Sequence, residues 1–137
     1  MEFFANLYQF GDWGLLALRV AVGAIFLIHG TQKWAMWKMQ PSEQMPAGML
    51  WLMKFLSIAE PLGAIAVLTG FLTQLAAVGL GIIMIGAIVL KKTMMKVPFA
   101  AQDKTGWEFD FIILAANVAI FFFGAGSMGL DRMIFGI

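Results

Sequence analysis

His29, Lys33 and Glu60 are the residues of this chain whose types and placing could do chemistry. An imidazole, an ammonium and a carboxylate can between them hold a hydrogen-bond acceptor and move a proton. His29 and Lys33 are one helical turn apart and share a face. The element that must carry them is the stretch 14–37, GLLALRVAVGAIFLIHGTQKWAMW. It exceeds twenty residues and is apolar enough to cross a bilayer as one helix. Arg19, His29, Gln32 and Lys33 are expensive there, because a charged side chain near the bilayer centre costs at least roughly 2.5 kcal/mol. Such residues face protein or water and have partners. Arg19 and Lys33 are separated by about 21 Å along a helix axis, so the stretch has two polar ends.

Glu60 sits in the second apolar stretch, about 9 Å inward of Lys54, while His29 is about 6 Å inward of Lys33. Both lysines mark the same interface, so His29 and Glu60 reach similar depth. Pro61 removes a backbone hydrogen bond and disfavours helical geometry at Glu60, which predicts a kink or break. Glu108 or Asp110, at the start of the last apolar stretch, belongs to the same end. The candidate ligand-binding set is therefore His29, Gln32, Lys33, Glu60 and Glu108, with no catalytic residue assigned. A structural reading stands beside it: Lys33 snorkels to the interface and His29–Glu60 only fixes helix packing. At the other end, Arg19 and Asp131 or Glu2 are candidates for an ion pair that holds the fold, or Arg19 for holding an anionic ligand.

Composition sets the class. The chain has 137 residues, of which 61% are hydrophobic and 12% charged, and its mean hydropathy is +0.87. A soluble domain averages about 25% charged residues, so too few charges remain here to cover a water-facing surface. The net charge of +1 gives no case for nucleic-acid binding. The absence of cysteine excludes disulfides, thiol redox chemistry and cysteine-ligated metal centres. A single histidine excludes bis-histidine haem, and no metal site is expected.

The expected fold is all-α: one domain over residues 1–137, with four transmembrane helices at about 14–37, 52–71, 75–91 and 107–124. Residues 1–13 lack the basic run that opens a signal peptide and read as a short interfacial helix around Phe3, Phe4, Leu7 and Tyr8. Trp34 and Trp37 mark the far interface of the first span. Small residues, Ala77 with Gly81 and Gly79 with Ile83, offer the third span a face for close contact. Gly124, Gly126 and Gly129 form a GxGxxG pattern, but it follows a membrane helix with no βαβ unit around it, so it is read as a turn. Lys33, Lys38, Lys54, Lys91, Lys92, Lys96 and Lys104 collect on the 1–2 and 3–4 loops and adjoining helix ends. Those loops are expected to be cytoplasmic and both termini outside.

His29-Gly30-x-x-Lys33 and Glu60-Pro61-x-Gly63 resemble motifs of the DoxX family. Arg19, the run Thr69-Gly70-Phe71-Leu72-Thr73 before Ala76-Ala77, and Gly126-x-x-Gly129-x-Asp131 extend the likeness along the chain after its N-terminal segment. The resemblance implies a four-helix protein of a prokaryotic cell membrane. Some relatives are linked to quinone reduction or partner redox-stress enzymes. The fold also looks like that of the vitamin K epoxide reductase group, whose cysteine chemistry this chain lacks. The expected function is a membrane subunit of a quinone-linked oxidoreductase system, with a possible quinone as ligand. Membrane lipids and a protein partner or second copy are the expected contacts. The alternative is a non-catalytic assembly partner or chaperone. A transporter ranks last, since no inverted repeat is visible.

Overall fold

The computed structural model of the chain describes Phe4 and residues 6–137. Among the described residues every regular element is helical: α1 (Gly11–Gln32), α2 (Ala47–Thr69), α3 (Thr73–Thr93), α4 (Glu108–Phe123) and a short α5 (Leu130–Phe135). A 3-10 turn, Asn6–Phe10, leads into α1, and a second, Lys33–Lys38, continues it. Three helical segments, Asn6–Lys38, Ala47–Thr69 and Thr73–Thr93, are long and apolar enough to cross a membrane. The fourth helix is apolar over most of its length but has 16 residues. The N-terminal interfacial helix expected from the sequence falls partly on residues 1–3 and 5, Glu2 among them, which lie outside the described residues.

α1 packs most closely on α2 and α3 on α4, with α2–α3 and α4–α1 contacts closing a four-sided bundle. Its core follows the helical period: Val22 and Phe26 of α1, Ala64 and Val67 of α2, Leu80 of α3, and Ile113 and Ile120 of α4 form one buried cluster. Large apolar side chains outside the core, such as Leu62, Ile65, Ile112 and Phe122, are exposed, as expected when lipid is the solvent. Gly30 lets α1 approach α2 closely: a Cβ there would meet the Pro61 ring and Glu60 Cβ. Ala77 and Gly81 are buried, Gly81 towards Leu114 and Asn117 of α4, while Gly79 is exposed, so only the Ala77–Gly81 pair of the expected small face is used.

The break expected at Pro61 does not occur. α2 runs unbroken from Ala47 to Thr69. A proline frees the carbonyl four residues earlier, here that of Ser57. The Trp34 indole N–H donates to that carbonyl at 2.9 Å, and the Trp37 indole N–H donates to Ser57 Oγ at 2.9 Å. The two tryptophans thus tie the end of α1 to α2 and satisfy the group that would otherwise favour a break.

Arg19 and Asp131 are both buried, but they do not form the ion pair expected of them; they cap opposite sides of one turn. α2 ends at Thr69 and leaves its last carbonyls without helical partners. Arg19 Nε donates to Val67 O at 2.8 Å and Nη2 to Leu68 O at 3.0 Å. Its Nη1 donates to Ala125 O. Asp131 accepts from the first N–H groups of the next helix, Leu72 at 2.6 Å and Thr73 at 2.9 Å. A cation at a helix C-terminus and an anion at an N-terminus each complement the dipole. Gly70, with φ 72°, makes the turn between them, and a Cβ there would meet the Arg19 guanidinium and Gly129 Cα.

Burial pushes the Asp131 carboxyl up, but hydrogen bonds from Thr73 and Leu72 and the Arg19 charge outweigh it and hold the pKa below the usual carboxylate value. A folded pKa below the unfolded one stabilises the fold above the unfolded value, about 4, and this contribution is lost as pH falls through the folded value. The contribution of Asp131 to thermal melting in detergent is therefore expected to be constant around neutral pH and to fall in acid. Asp131→Asn should melt lower at neutral pH and lose less on acidification, and an equal acid loss in both proteins would contradict this.

Candidate functional site

The polar residues of the first hairpin meet at one point. Lys33 Nζ lies 2.6 Å from Glu60 Oε2, with the carboxylate nearly buried. Close approach at Gly30 brings the end of α1 against this part of α2. The same ammonium donates to the backbone carbonyl of His29 at 3.1 Å. Glu60 is thus partnered by Lys33, not by His29 as the depth argument suggested. The His29 ring instead reaches across to α4 and lies over Phe109, with centroids 5.9 Å apart and planes 26° from parallel.

The second hairpin repeats the device. Lys91, in the last turn of α3, is 2.6 Å from Asp110 Oδ2 in the first turn of α4. Lys91 also lies 3.5 Å from Gly106 O in the loop joining these helices. From the sequence, Lys91 reads as a span end and an interface charge, and the candidate set holds Glu108 rather than Asp110. A signal was present: Asp110, Ile113, Asn117 and Ile120 follow helical spacing and are the buried face of α4. Glu108 is half-buried and Gln32 exposed, and neither lines the cavity described next.

Between the hairpins lies a cavity of about 790 Å³, within the size range of small-molecule sites. Both ion pairs and His29 line it. The rest of its wall is largely aliphatic, from Leu52, Phe55 and Leu56 of α2 and Ile82, Val89 and Leu90 of α3. Helices α1 and α4 close one side, where His29 and Phe109 meet, and α2 and α3 line the other. Gly86 of α3 also lines it, and a Cβ added there meets nothing within 4 Å. The arrangement combines charge-balanced polar groups with an apolar chamber, as a ligand with a polar head and an apolar body requires.

At the same end of the bundle, Lys54 Nζ lies over the rings of Trp37 and Trp51, 5.7 and 5.2 Å from their centroids. Lys92 lies 5.0 Å from the centre of Trp107. Lysine and tryptophan together are the side chains that settle at a membrane–water interface.

Residues 14–93 match the DoxX family. The chain is also similar to the Bacillus subtilis (strain 168) protein named "Putative oxidoreductase CatD", with 30% identity over 126 residues, covering 89% of this chain and 87% of that protein. No solved structure matches. The matched segment contains most of α1 and all of α2 and α3, and so holds His29, Lys33, Glu60 and Lys91 but not Asp110.

Proposed function

Because the chain belongs to the DoxX family, we propose that it is an integral membrane subunit of a quinone-linked oxidoreductase system that binds a quinone or similar lipid-soluble ligand between its two hairpins. The observation that carries this reading is the cavity: two lysine–carboxylate pairs and a histidine at a largely aliphatic chamber. The residues present suit a quinone. Lys33 and His29 can donate to a ring oxygen, Glu60 holds Lys33 in place and can exchange a proton, and the aliphatic walls take an isoprenoid tail. A bound quinone would supply the electron-accepting chemistry, and this chain's residues would bind it, orient it and keep water from it. Electrons come from a partner protein, and the chain has no independent activity in this account.

In the same proposal α4 is the fourth span, residues 1–137 form a single domain, and the N-terminal segment lies at the interface. The lysines and tryptophans gathered at this end support a cytoplasmic position for the 1–2 and 3–4 loops, with the ligand then near the inner face of a prokaryotic cell membrane. A second reading has support of its own. Each acid of the site is already paired with a lysine, which also suits residues that only hold the fold of an assembly partner.

The deciding experiment replaces His29 by Ala and Glu60 by Gln separately and measures bound quinone in protein that melts like wild type. The proposal expects each change to lower occupancy by about tenfold, the scale of one lost charge-assisted hydrogen bond. Unchanged occupancy in both folded variants would transfer the case to the assembly-partner reading.

A further inference from the structure

We infer that Lys91 and Asp110 are the second half of the ligand site, and that its ligand is an uncharged ring with two hydrogen-bond-accepting oxygens, one held by Lys33 and the other by Lys91. This rests on the reading above that the cavity takes a lipid-soluble ligand.

The pairs come from different hairpins and line one cavity. Each lysine keeps a donor to spare. An ammonium has three N–H groups. Lys33 directs two of them to Glu60 and the His29 carbonyl, and Lys91 directs one to Gly106 O while its ammonium is ion-paired with Asp110. Each ammonium therefore keeps at least one N–H for a ligand.

Charge decides the ligand's class. Each ammonium is already balanced by a carboxylate at 2.6 Å. An anionic ligand would meet Glu60 and Asp110 along with the lysines and gain little net attraction. A carbonyl oxygen needs only a donor, and a donor held by a carboxylate stays in place when the ligand leaves. His29 and Phe109 present two nearly parallel rings between the hairpins, a wall against which a flat ring lies. Lys91 and Asp110 are in this account specificity residues, since a ligand with one carbonyl engages only one pair.

The test uses menadione, which has two ring carbonyls, and alpha-tetralone, its one-carbonyl counterpart, titrated into the protein in lipid nanodiscs. Wild type is expected to bind menadione about tenfold or more tighter than tetralone, the worth of one charge-assisted hydrogen bond. Lys33→Met and Lys91→Met should each remove that preference by weakening menadione, with little change for tetralone, which turns to use the remaining lysine. Since Lys91→Met leaves Asp110 buried without its partner, the paired variant Lys91→Met with Asp110→Leu carries the same expectation without an unpaired acid. Menadione affinity and preference that survive the loss of Lys91 but not of Lys33 overturn the inference and leave the one-sided quinone site standing. Equal affinity of wild type for the two probes overturns it whatever the variants do. Failure of wild type to bind either probe overturns the site itself.

Discussion

Arg19→Ala should cost the folded protein several kcal/mol, roughly 3–5, the scale for removing one partner of a buried charged network. The guanidinium is buried and serves three backbone carbonyls from two parts of the chain. Removing it leaves the last carbonyls of α2 and that of Ala125 unpaired where water does not reach, at about 1–3 kcal/mol for each unsatisfied group. It also takes away the cation that complements the end of α2 and the charge that faces Asp131. Arg19→Lys should recover only part of the loss, because an ammonium cannot reproduce the planar fork that reaches Val67, Leu68 and Ala125 together. Melting in detergent, with yield as a second readout, measures both variants. An Arg19→Ala protein that melts within a degree or two of wild type would show that these carbonyls do not depend on Arg19.

Gly86→Phe is expected to abolish ligand binding while leaving the bundle intact. Gly86 lines the cavity from α3, and a side chain started there meets open space. Phenylalanine is also a better helix former than glycine by a few tenths of a kcal/mol. The fold thus loses nothing obvious, and the new ring occupies the space between α2 and α3 that an apolar ligand body needs. Occupancy should fall at least about tenfold, since displacing buried apolar contact forfeits more than 1.4 kcal/mol. Gly79→Phe is the matching control. It sits on the same helix with equally open space but outside the cavity, and should retain the ligand.

The helices and the polar character of both ends were legible in the sequence because each rests on a local signal. Spanning length, interfacial Trp and Lys, and the spacing of His29 and Lys33 need no knowledge of neighbours. What could not be read depends on pairing between helices. Depth along two axes put His29 beside Glu60, but rotation of α1 against α2, set by the Gly30–Pro61 contact, gives Glu60 to Lys33 instead. Pro61 reads locally as a break, and only the distant Trp34 shows why α2 continues. Arg19 and Asp131 were matched by opposite charge, whereas helix ends competed for both and won. The choice of Glu108 over Asp110 has a different reason. Glu108 and Asp110 both stand in the first turn of α4 and point about 200° apart, and only the periodicity running on to Asn117 and Ile120 decides between them.

The most direct test of the account is to purify wild type and Gly86→Phe side by side in mild detergent and identify the lipophilic molecules that each retains by mass spectrometry of an organic extract. The account predicts a quinone or similar lipid-soluble ring compound in wild type, approaching one per chain, and its loss from a Gly86→Phe protein that melts at the same temperature. No such compound in wild type, or the same amount in both proteins, would contradict it.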